Sequence, residues 1–474
     1  MDKKVSLKEE IGYFVTEKDY SKIISSCYSG EIVTKKDEKY LLVYFPKLNE
    51  KESYLFLKTL KELKQSKIKI NSKADIYFFL KNFCLENLIL LNKEQREKIL
   101  TLLEWESIGE SALYLLLRDP DFEEIVINGI NKPIMVYHRA FGWLETNCYF
   151  CSEEKVKTII NKMAAPIGRQ ISFHSPILNA VIDNGSRVNA SMNPIAFSGI
   201  NVTIRKFKEK PMTPVSIVNS KTISREAMAF LWLTMQASCS VMVCGNTGSG
   251  KTTTLNALFC FLPKNERIIV AEETPELSLP QEHKVKLNTS TQLGIGLKEL
   301  IENTFRMRPD RVIVGEIRNN EEASAFVNTM LAGQAKGSYA TFHAESAQEA
   351  LERLQTFGIE KSSLASIDLI VLQKRIGKIN LRNNSRQEER KVVEICEIIK
   401  KEKEIELNKL FSYDFQQNLI VKVNDSVRVK EKIKLAFNLS SKEFEKVLLE
   451  KEELLGKISE NVSFMEFFEL AEKE

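Results

Sequence analysis

Gly245-Asn246-Thr247-Gly248-Ser249-Gly250-Lys251-Thr252 is the stretch that decides the fold. It matches G-x-x-x-x-G-K-[ST], the pattern of a loop whose backbone N–H groups wrap a phosphate. Its flanks are the ones such a loop needs. Val241-Met242-Val243-Cys244 is a short apolar run of strand type, and Thr252 to Leu258 reads as the start of a helix that Pro263 ends. Strand, glycine loop and helix N-terminus together make an anion cradle, because glycines let N–H groups turn inward and the helix dipole adds partial positive charge. Lys251 is placed to reach β- and γ-phosphates, the Thr252 hydroxyl is placed to bind Mg²⁺, and Thr253 completes the candidate nucleotide-binding set. A chance match in a glycine-rich turn is the alternative, and the flanking elements argue against it.

The 474 residues are enough for two to four domains. Apolar content of 43% and charged content of 28% are ordinary for a globular protein. A net charge of +4 gives no sign of a broad nucleic-acid-binding surface. The eight cysteines are scattered, and Cys148-x-x-Cys151 has no second pair to complete a zinc site, which suits a reducing compartment. Met1-Asp2-Lys3-Lys4 opens no apolar run, so no secretory signal is expected. The uncharged stretch from Ala227 to Gly250 is long enough to span a membrane. It contains Gln236, Ser238 and Ser240 and ends inside the phosphate loop, so a buried helix followed by a buried strand explains it better.

Outward from the loop, residues 1–105 are rich in Lys, Glu, Leu and Ile, with a strand expected at Tyr40 to Phe45 and helices at Glu52 to Lys64 and Lys93 to Leu103. A docking domain and a solvated helical cap are equal readings of them, and they are assigned to a mostly helical N-terminal region expected to dock a partner. Residues 106–207 change to strands and turns, with strands at Glu124 to Asn128, Ile134 to His138, Arg187 to Ala190 and Asn201 to Arg205, and a hairpin signal at Asn184-Gly185. Pro211 and Pro214 mark residues 208–220 as a linker. Across 221–400, apolar strands at 241–244, 267–271, 311–314, 338–342 and 367–372 alternate with helices, the signature of an α/β domain built on a parallel sheet. The polar stretch Asn380 to Lys391 reads as an exposed loop before a strand at Val392 to Ile399, and residues 401–474 read as charged helices.

Three further segments carry candidate chemistry. Glu316 follows the apolar strand Arg311-Val312-Ile313-Val314, at the carboxyl edge where open α/β sheets bind ligands. Many phosphate-loop enzymes have Asp at the position of Gly315, so Glu316 is the first carboxylate available there to orient an attacking water or a metal. Glu272-Glu273-Thr274-Pro275-Glu276 also follows a strand, and three carboxylates so close repel unless a cation is near. An ordinary acidic turn is an equal reading of that cluster taken alone. His343 ends Ser338 to Phe342 and is placed to bond a phosphate or the water network, although by itself a structural histidine fits better.

Together these segments resemble the type II/type IV secretion ATPases, the motors of pilus assembly and retraction, secretion, conjugation and the archaellum. Gly245 to Thr252 resembles their Walker A motif and Ile269 to Glu276 their Asp box. Arg308 to Arg318 is similar to their atypical Walker B with Gly-Glu, and Thr341 to Ser346, followed by Glu352-Arg353-Leu354, to their His box. Pro133 to Arg139, Asp183 to Val188 and Thr203 to Phe207 look like the archaeal branch. Glu273 stands where the Asp box usually has Asp, and residues 1–105 match no motif.

The resemblance implies a homo-hexamer with a smaller N-terminal α/β domain linked to a RecA-like ATPase domain, with ATP and Mg²⁺ bound between them. It implies Glu272 and Glu316 as catalytic carboxylates and metal ligands alongside Thr252, with Lys251 and His343 as catalytic partners. It implies that Arg187 and Arg205 close over the phosphates, with residues 208–220 as hinge. The expected partners are a polytopic membrane platform protein and pilin or archaellin machinery, and the expected place is the cytoplasm, peripheral to the inner face of the membrane. A RecA-type nucleic-acid motor is the rival in the same fold, and near-neutral charge argues against it. A silent assembly scaffold is the rival outside the enzymes, and the intact Lys251, Thr252 and Glu316 argue against that.

Overall fold

A computed structural model describes residues 11–16, 20–35, 38–66, 68–182, 185–207, 211–290, 293–333, 335–380, 385–401 and 404–474. The chain divides into two compact units, Met1–Lys208 and Glu209–Glu474.

The first unit begins with strands β1 (Tyr13–Val15), β2 (Lys22–Ser26), β3 (Gly30–Lys35) and β4 (Glu38–Val43). Helices α1 (Glu50–Gln65), α2 (Lys73–Glu86) and α3 (Lys93–Ser107) follow. Each of the three starts at a capping box, Asn49 with Glu52, Ser72 with Asp75 and Asn92 with Gln95, which satisfies the orphan N–H groups of its first turn. After the short α4 (Tyr114–Arg118) come β5 (Phe122–Ile127), β6 (Pro133–His138), β7 (Gly142–Phe150), α5 (Glu153–Ala164), β8 (Ile177–Val181), β9 (Arg187–Ser191) and β10 (Asn201–Arg205). The sheet runs β2-β3-β4-β7-β6-β5-β10-β9-β8, with β1 beside β7. Before its helices, then, the region expected to be mostly helical carries four strands, and they enter the same sheet as the α/β part that follows. Tyr13, Ile32 and Leu41 are fully buried in the core of this unit, because β1 and β4 pair with β7 and β3 pairs with β4, which carries their apolar faces into the sheet. Of the hairpin signal, Asn184 lies outside the described residues.

The second unit opens with α6 (Pro214–Asn219), so half of the segment expected to be linker is helix, capped by Thr213 with Pro214 in its first turn. Then come α7 (Arg225–Gln236), β11 (Val241–Gly245), α8 (Lys251–Leu258), β12 (Ile268–Glu272), β13 (Lys284–Asn288) and α9 (Leu297–Thr304). After them lie β14 (Arg311–Ile317), α10 (Asn320–Leu331), β15 (Gly337–Phe342), α11 (Ala347–Thr356) and α12 (Lys361–Leu364). The last elements are β16 (Leu369–Asn380), β17 (Ser385–Lys401), β18 (Glu404–Asp414), β19 (Leu419–Lys422), α13 (Arg428–Phe437), α14 (Ser441–Lys457) and α15 (Phe464–Ala471). The sheet order is β13-β12-β14-β15-β11-β16-β17-β18-β19. It is parallel from β13 to β16 and antiparallel beyond.

Side chains alternate across a strand, and β11 shows the consequence. Val241 and Val243 join one apolar core with α7, while Met242 and Cys244 join another with α10 and α11. The parallel sheet is thus covered on both faces, as its continuous apolar strands require. Two expectations change. The polar stretch 380–391 is largely strand and not a loop: β16 and β17 pair from Leu369 to Asn380, and the half-exposed Arg375 meets Glu388 across the pair at 3.3 Å. The stretch is rich in Lys, Arg and Glu and sets no apolar period, which is why periodicity missed it. Beyond Lys401, strands β18 and β19 precede the helices that were expected to fill 401–474.

Candidate active site

β11 is buried along its whole length and delivers the chain to the glycine loop at the carboxyl edge of the parallel strands. Gly245 sits at φ 150°, and a Cβ there would fall 2.0 Å from the carbonyl oxygen of Gln373 on β16. Gly250, at φ 96°, turns the chain into α8 with no side chain capping the helix. The first N–H groups of α8 are therefore left to face a ligand. Lys251 is buried and curled over the loop, its Nζ donating to the Gly245 carbonyl at 3.0 Å and the Asn246 carbonyl at 3.2 Å. The Thr252 hydroxyl donates to Glu276 Oε2 at 3.3 Å. Asn256, one turn on, accepts from the Ser278 N–H at 2.9 Å and donates to the Glu276 carbonyl at 3.4 Å. These bonds stitch α8 to the acidic segment that follows β12.

Two carboxylates complete the edge. Glu272 ends β12 and is 2% exposed. Its Oε1 accepts the N–H groups of Glu276 and Leu277, each at 2.9 Å, while its Oε2 is buried without a hydrogen-bond partner. Burial raises its pKa, and the two backbone bonds and nearby Lys286 offset only part of that. Glu316 lies on β14. Its Oε1 meets His343 Nε2 at 2.7 Å, and its Oε2 accepts from Arg318 Nε at 2.7 Å. Arg318 also pairs with Glu273 through Nη1. Burial pushes the Glu316 carboxyl up, but the bond and charge of Arg318, with His343 and Lys251, outweigh it and hold the group below its ordinary value. Burial, then the charge of Lys251, lowers the His343 pKa against the pull of Glu316. His343 is therefore a neutral ring at pH 7, and since a carboxylate only accepts, its Nε2 carries the shared hydrogen.

The glycine before Glu316 has a steric reason. A Cβ at Gly315 would stand 3.1 Å from Glu272 Cγ. The side chain of Glu272 fills the space where a carboxylate at 315 would begin, so the strand-end carboxylate comes from the neighbouring strand. The Thr341 hydroxyl donates to the Gly315 carbonyl at 2.6 Å and fixes β14 against β15 at this point.

Among the described residues, no group of three or more His, Cys, Asp or Glu side chains could hold a metal ion. Mg²⁺ does not need one, since it takes one or two protein oxygens and completes its shell with phosphates and water. The partnerless Glu272 Oε2 and the Thr252 hydroxyl are hard oxygen donors of that kind and fit the ion.

The second unit thus brings together Lys251, Thr252, Glu272, Glu316 and His343 from four parallel strands and one helix. Arg187 and Arg205 lie in the first unit as direct partners across β9 and β10. Sequence reasoning gave no role to Arg318, Glu276 or Gln373. Arg318 lies within a quoted motif, where its charge beside Glu316 was a usable signal. Gln373 announced itself only as a polar residue closing the apolar run 369–372; buried, it accepts from the Thr254 hydroxyl at 2.7 Å.

The family described as "Type II/IV secretion system protein" matches residues 145–450. The uncharacterized protein MJ0781 of Methanocaldococcus jannaschii is 35% identical over 315 residues, covering 63% of this chain and 43% of that protein. The uncharacterized protein MJ0900 of the same organism is 34% identical over 274 residues, covering 57% and 49%. The chain therefore spans about half the length of these two relatives. The type IV secretion system protein VirB11 of Bartonella quintana is 27% identical over 343 residues, covering 61% of this chain and 93% of that protein.

Proposed function

This chain belongs to the type II/IV secretion system protein family, and from that premise we propose that it is an MgATP-hydrolysing motor for a secretion or pilus-like system. Its second unit is a phosphate-loop ATPase domain of RecA-like fold. The observation that carries the reading is the shared carboxyl edge, where the glycine loop with Lys251, the buried Glu272 and the Glu316–His343 pair converge.

Lys251 leaves the two loop carbonyls for the β- and γ-phosphate oxygens, which α8 holds with its free N–H groups. The Thr252 hydroxyl and Glu272 would hold Mg²⁺, which when bound would offset charge on the phosphates. Glu316 is ionised, so it accepts a hydrogen bond from the attacking water and points it at phosphorus. Its low pKa suits orienting the water better than stripping its proton early. His343 keeps one face of that carboxylate fixed without adding charge, and Arg318 holds the other oxygen.

The finer reading adds a homo-hexameric ring, a polytopic membrane platform protein as partner, pilin or archaellin subunits as cargo and a place at the cytoplasmic face of the membrane. The type IV secretion system relative supports the link to a secretion system. Among the described residues no helix is long and apolar enough to cross a membrane. The test is Lys251→Ala in the full chain. It should lose most MgATP affinity and all turnover, because the phosphate charge loses its cation. Near-normal turnover by a folded variant would refute the ATPase.

A further inference from the structure

β16 is bonded directly to β11, with Gln373 opposite Gly245, so the hairpin it forms with β17 rises beside the phosphate loop. The contact is close. The missing Cβ of Gly245 makes room for the Gln373 carbonyl, and the buried Gln373 side chain bonds Thr254 of α8. Two residues on, and so on the same face of β16, stands Arg375, and its partner across the hairpin is Arg390. Both lean on the loop. Arg390 Nε donates to the Gly248 carbonyl at 3.1 Å, and its Cδ lies 3.3 Å from where a Cβ on Gly250 would be. Arg375 Nη1 lies 3.5 Å from where a Cβ on Gly248 would be. The second and third glycines of the loop thus leave space that two guanidinium groups approach.

Like charges directly opposite on paired strands destabilise a sheet, and an anion between them reverses the sign of that interaction. Glu388, diagonal to Arg375 on β17, meets it at 3.3 Å with both side chains half exposed, and such a surface pair exchanges at little cost. The loop beneath these arginines is the part of the chain built to hold phosphates.

We propose that Arg375 and Arg390 form a second phosphate-binding element of this unit, closing on the phosphate chain of a nucleoside di- or triphosphate held in the loop. The inference rests on the nucleotide-site reading and adds to it a contact from the same unit as the loop, distinct from Arg187 and Arg205. Guanidinium is the group for this task, because its fork meets phosphate oxygens bidentately and stays charged at any physiological pH.

The probe is MgADP, titrated against the full chain and its Arg375→Gln, Arg390→Gln and Arg390→Lys variants. Gln keeps a hydrogen-bonding end without charge on a shorter side chain, Lys keeps the charge, and both positions are exposed, so folding is retained. Each Gln variant should weaken MgADP about tenfold, the usual worth of one charged hydrogen bond, and Arg390→Lys should recover part of the loss. The dependence of affinity on salt should also flatten in the Gln variants, which a mere brace for the loop would not cause. Wild-type affinity and salt dependence in both Gln variants would overturn the proposal, as would a lowered Tm with affinity unchanged. Failure of the wild-type chain to bind MgADP would instead sink the nucleotide site itself, and this element with it.

Discussion

Glu272 and Glu316 end neighbouring strands, yet their surroundings push them in opposite directions. Glu316 has an arginine and a histidine on its two oxygens and is held ionised. Glu316→Gln should bind MgATP with near wild-type affinity and hydrolyse it at least about a hundredfold more slowly, since the cradle survives and the water loses its orienting charge. Single-turnover rates beside nucleotide titrations check this; an unchanged rate would strip Glu316 of its role. Glu272 is buried with one bare oxygen, so its folded pKa lies above the ordinary value. A raised carboxyl pKa contributes stability that is full below the unfolded value near 4.5 and is lost as pH rises through the folded value. Above the folded value, then, the ionised Glu272 costs stability without its cation. Glu272→Gln keeps the acceptor for Glu276 and Leu277 and removes the charge. It should slow hydrolysis, yet raise the nucleotide-free Tm by about 2 °C at pH 8 and by less at pH 5. Melting curves of both proteins across that range decide it, and a lower Tm at pH 8 would reverse the account. Only the types and strand-end positions of these residues were legible in the chain. Their opposite shifts depend on Arg318, His343 and the Glu276 N–H, and those contacts exist only once four strands lie side by side.

At the scale of elements, the strands of the second unit were legible where they are apolar and buried on both faces, as at 241–245 and 268–272. The hairpin β16–β17 was not, because its outer half carries Lys, Arg and Glu and has no apolar face to set a period. β14 shows a third case, an apolar strand that starts on a buried charge. Arg311 is fully buried; its Nε meets Glu266 Oε2 at 2.5 Å, and its Nη1 donates to the Tyr339 hydroxyl at 2.8 Å. Lys336 reaches the other Glu266 oxygen at 2.9 Å. This network pins β14 to the start of β12 and to β15, at the end of the sheet opposite the phosphate loop. Removing one partner leaves a buried charge alone, which destabilises by about 3–5 kcal/mol. Glu266→Ala should therefore unfold the second unit at markedly lower denaturant, with the loop chemistry untouched in whatever fraction remains folded. A midpoint within error of wild type would show that the Tyr339 hydroxyl and water suffice to hold the Arg311 charge.

For the whole molecule, the loop and carboxylates of the proposed reaction lie in the second unit, and Arg187 and Arg205 lie in the first. Arg187 and Arg205 are direct partners on neighbouring strands. Two adjacent guanidiniums on a rigid sheet make a better anion clamp than two on loops, because their spacing is fixed by the ladder. Arg205 also faces Glu124 across β5 and weakens the rise that burial imposes on that carboxyl, so part of its charge has a partner within its own sheet. We propose that a nucleotide draws the two units together through this pair. A group that meets phosphate charge mainly in the transition state lowers kcat when lost, with a smaller effect on ground-state affinity. Arg187→Ala and Arg205→Ala should each reduce kcat by about tenfold or more, with MgADP binding to the loop largely kept, and Arg→Lys should restore only part. Small-angle scattering of the wild type should show compaction on adding MgATP, and the Ala variants should show less. The same variants separate this clamp from the hairpin arginines, since Arg375→Gln and Arg390→Gln act on MgADP affinity itself. Wild-type kcat in both Ala variants, or a radius of gyration indifferent to nucleotide, would leave Arg187 and Arg205 as sheet residues and the first unit without a part in hydrolysis.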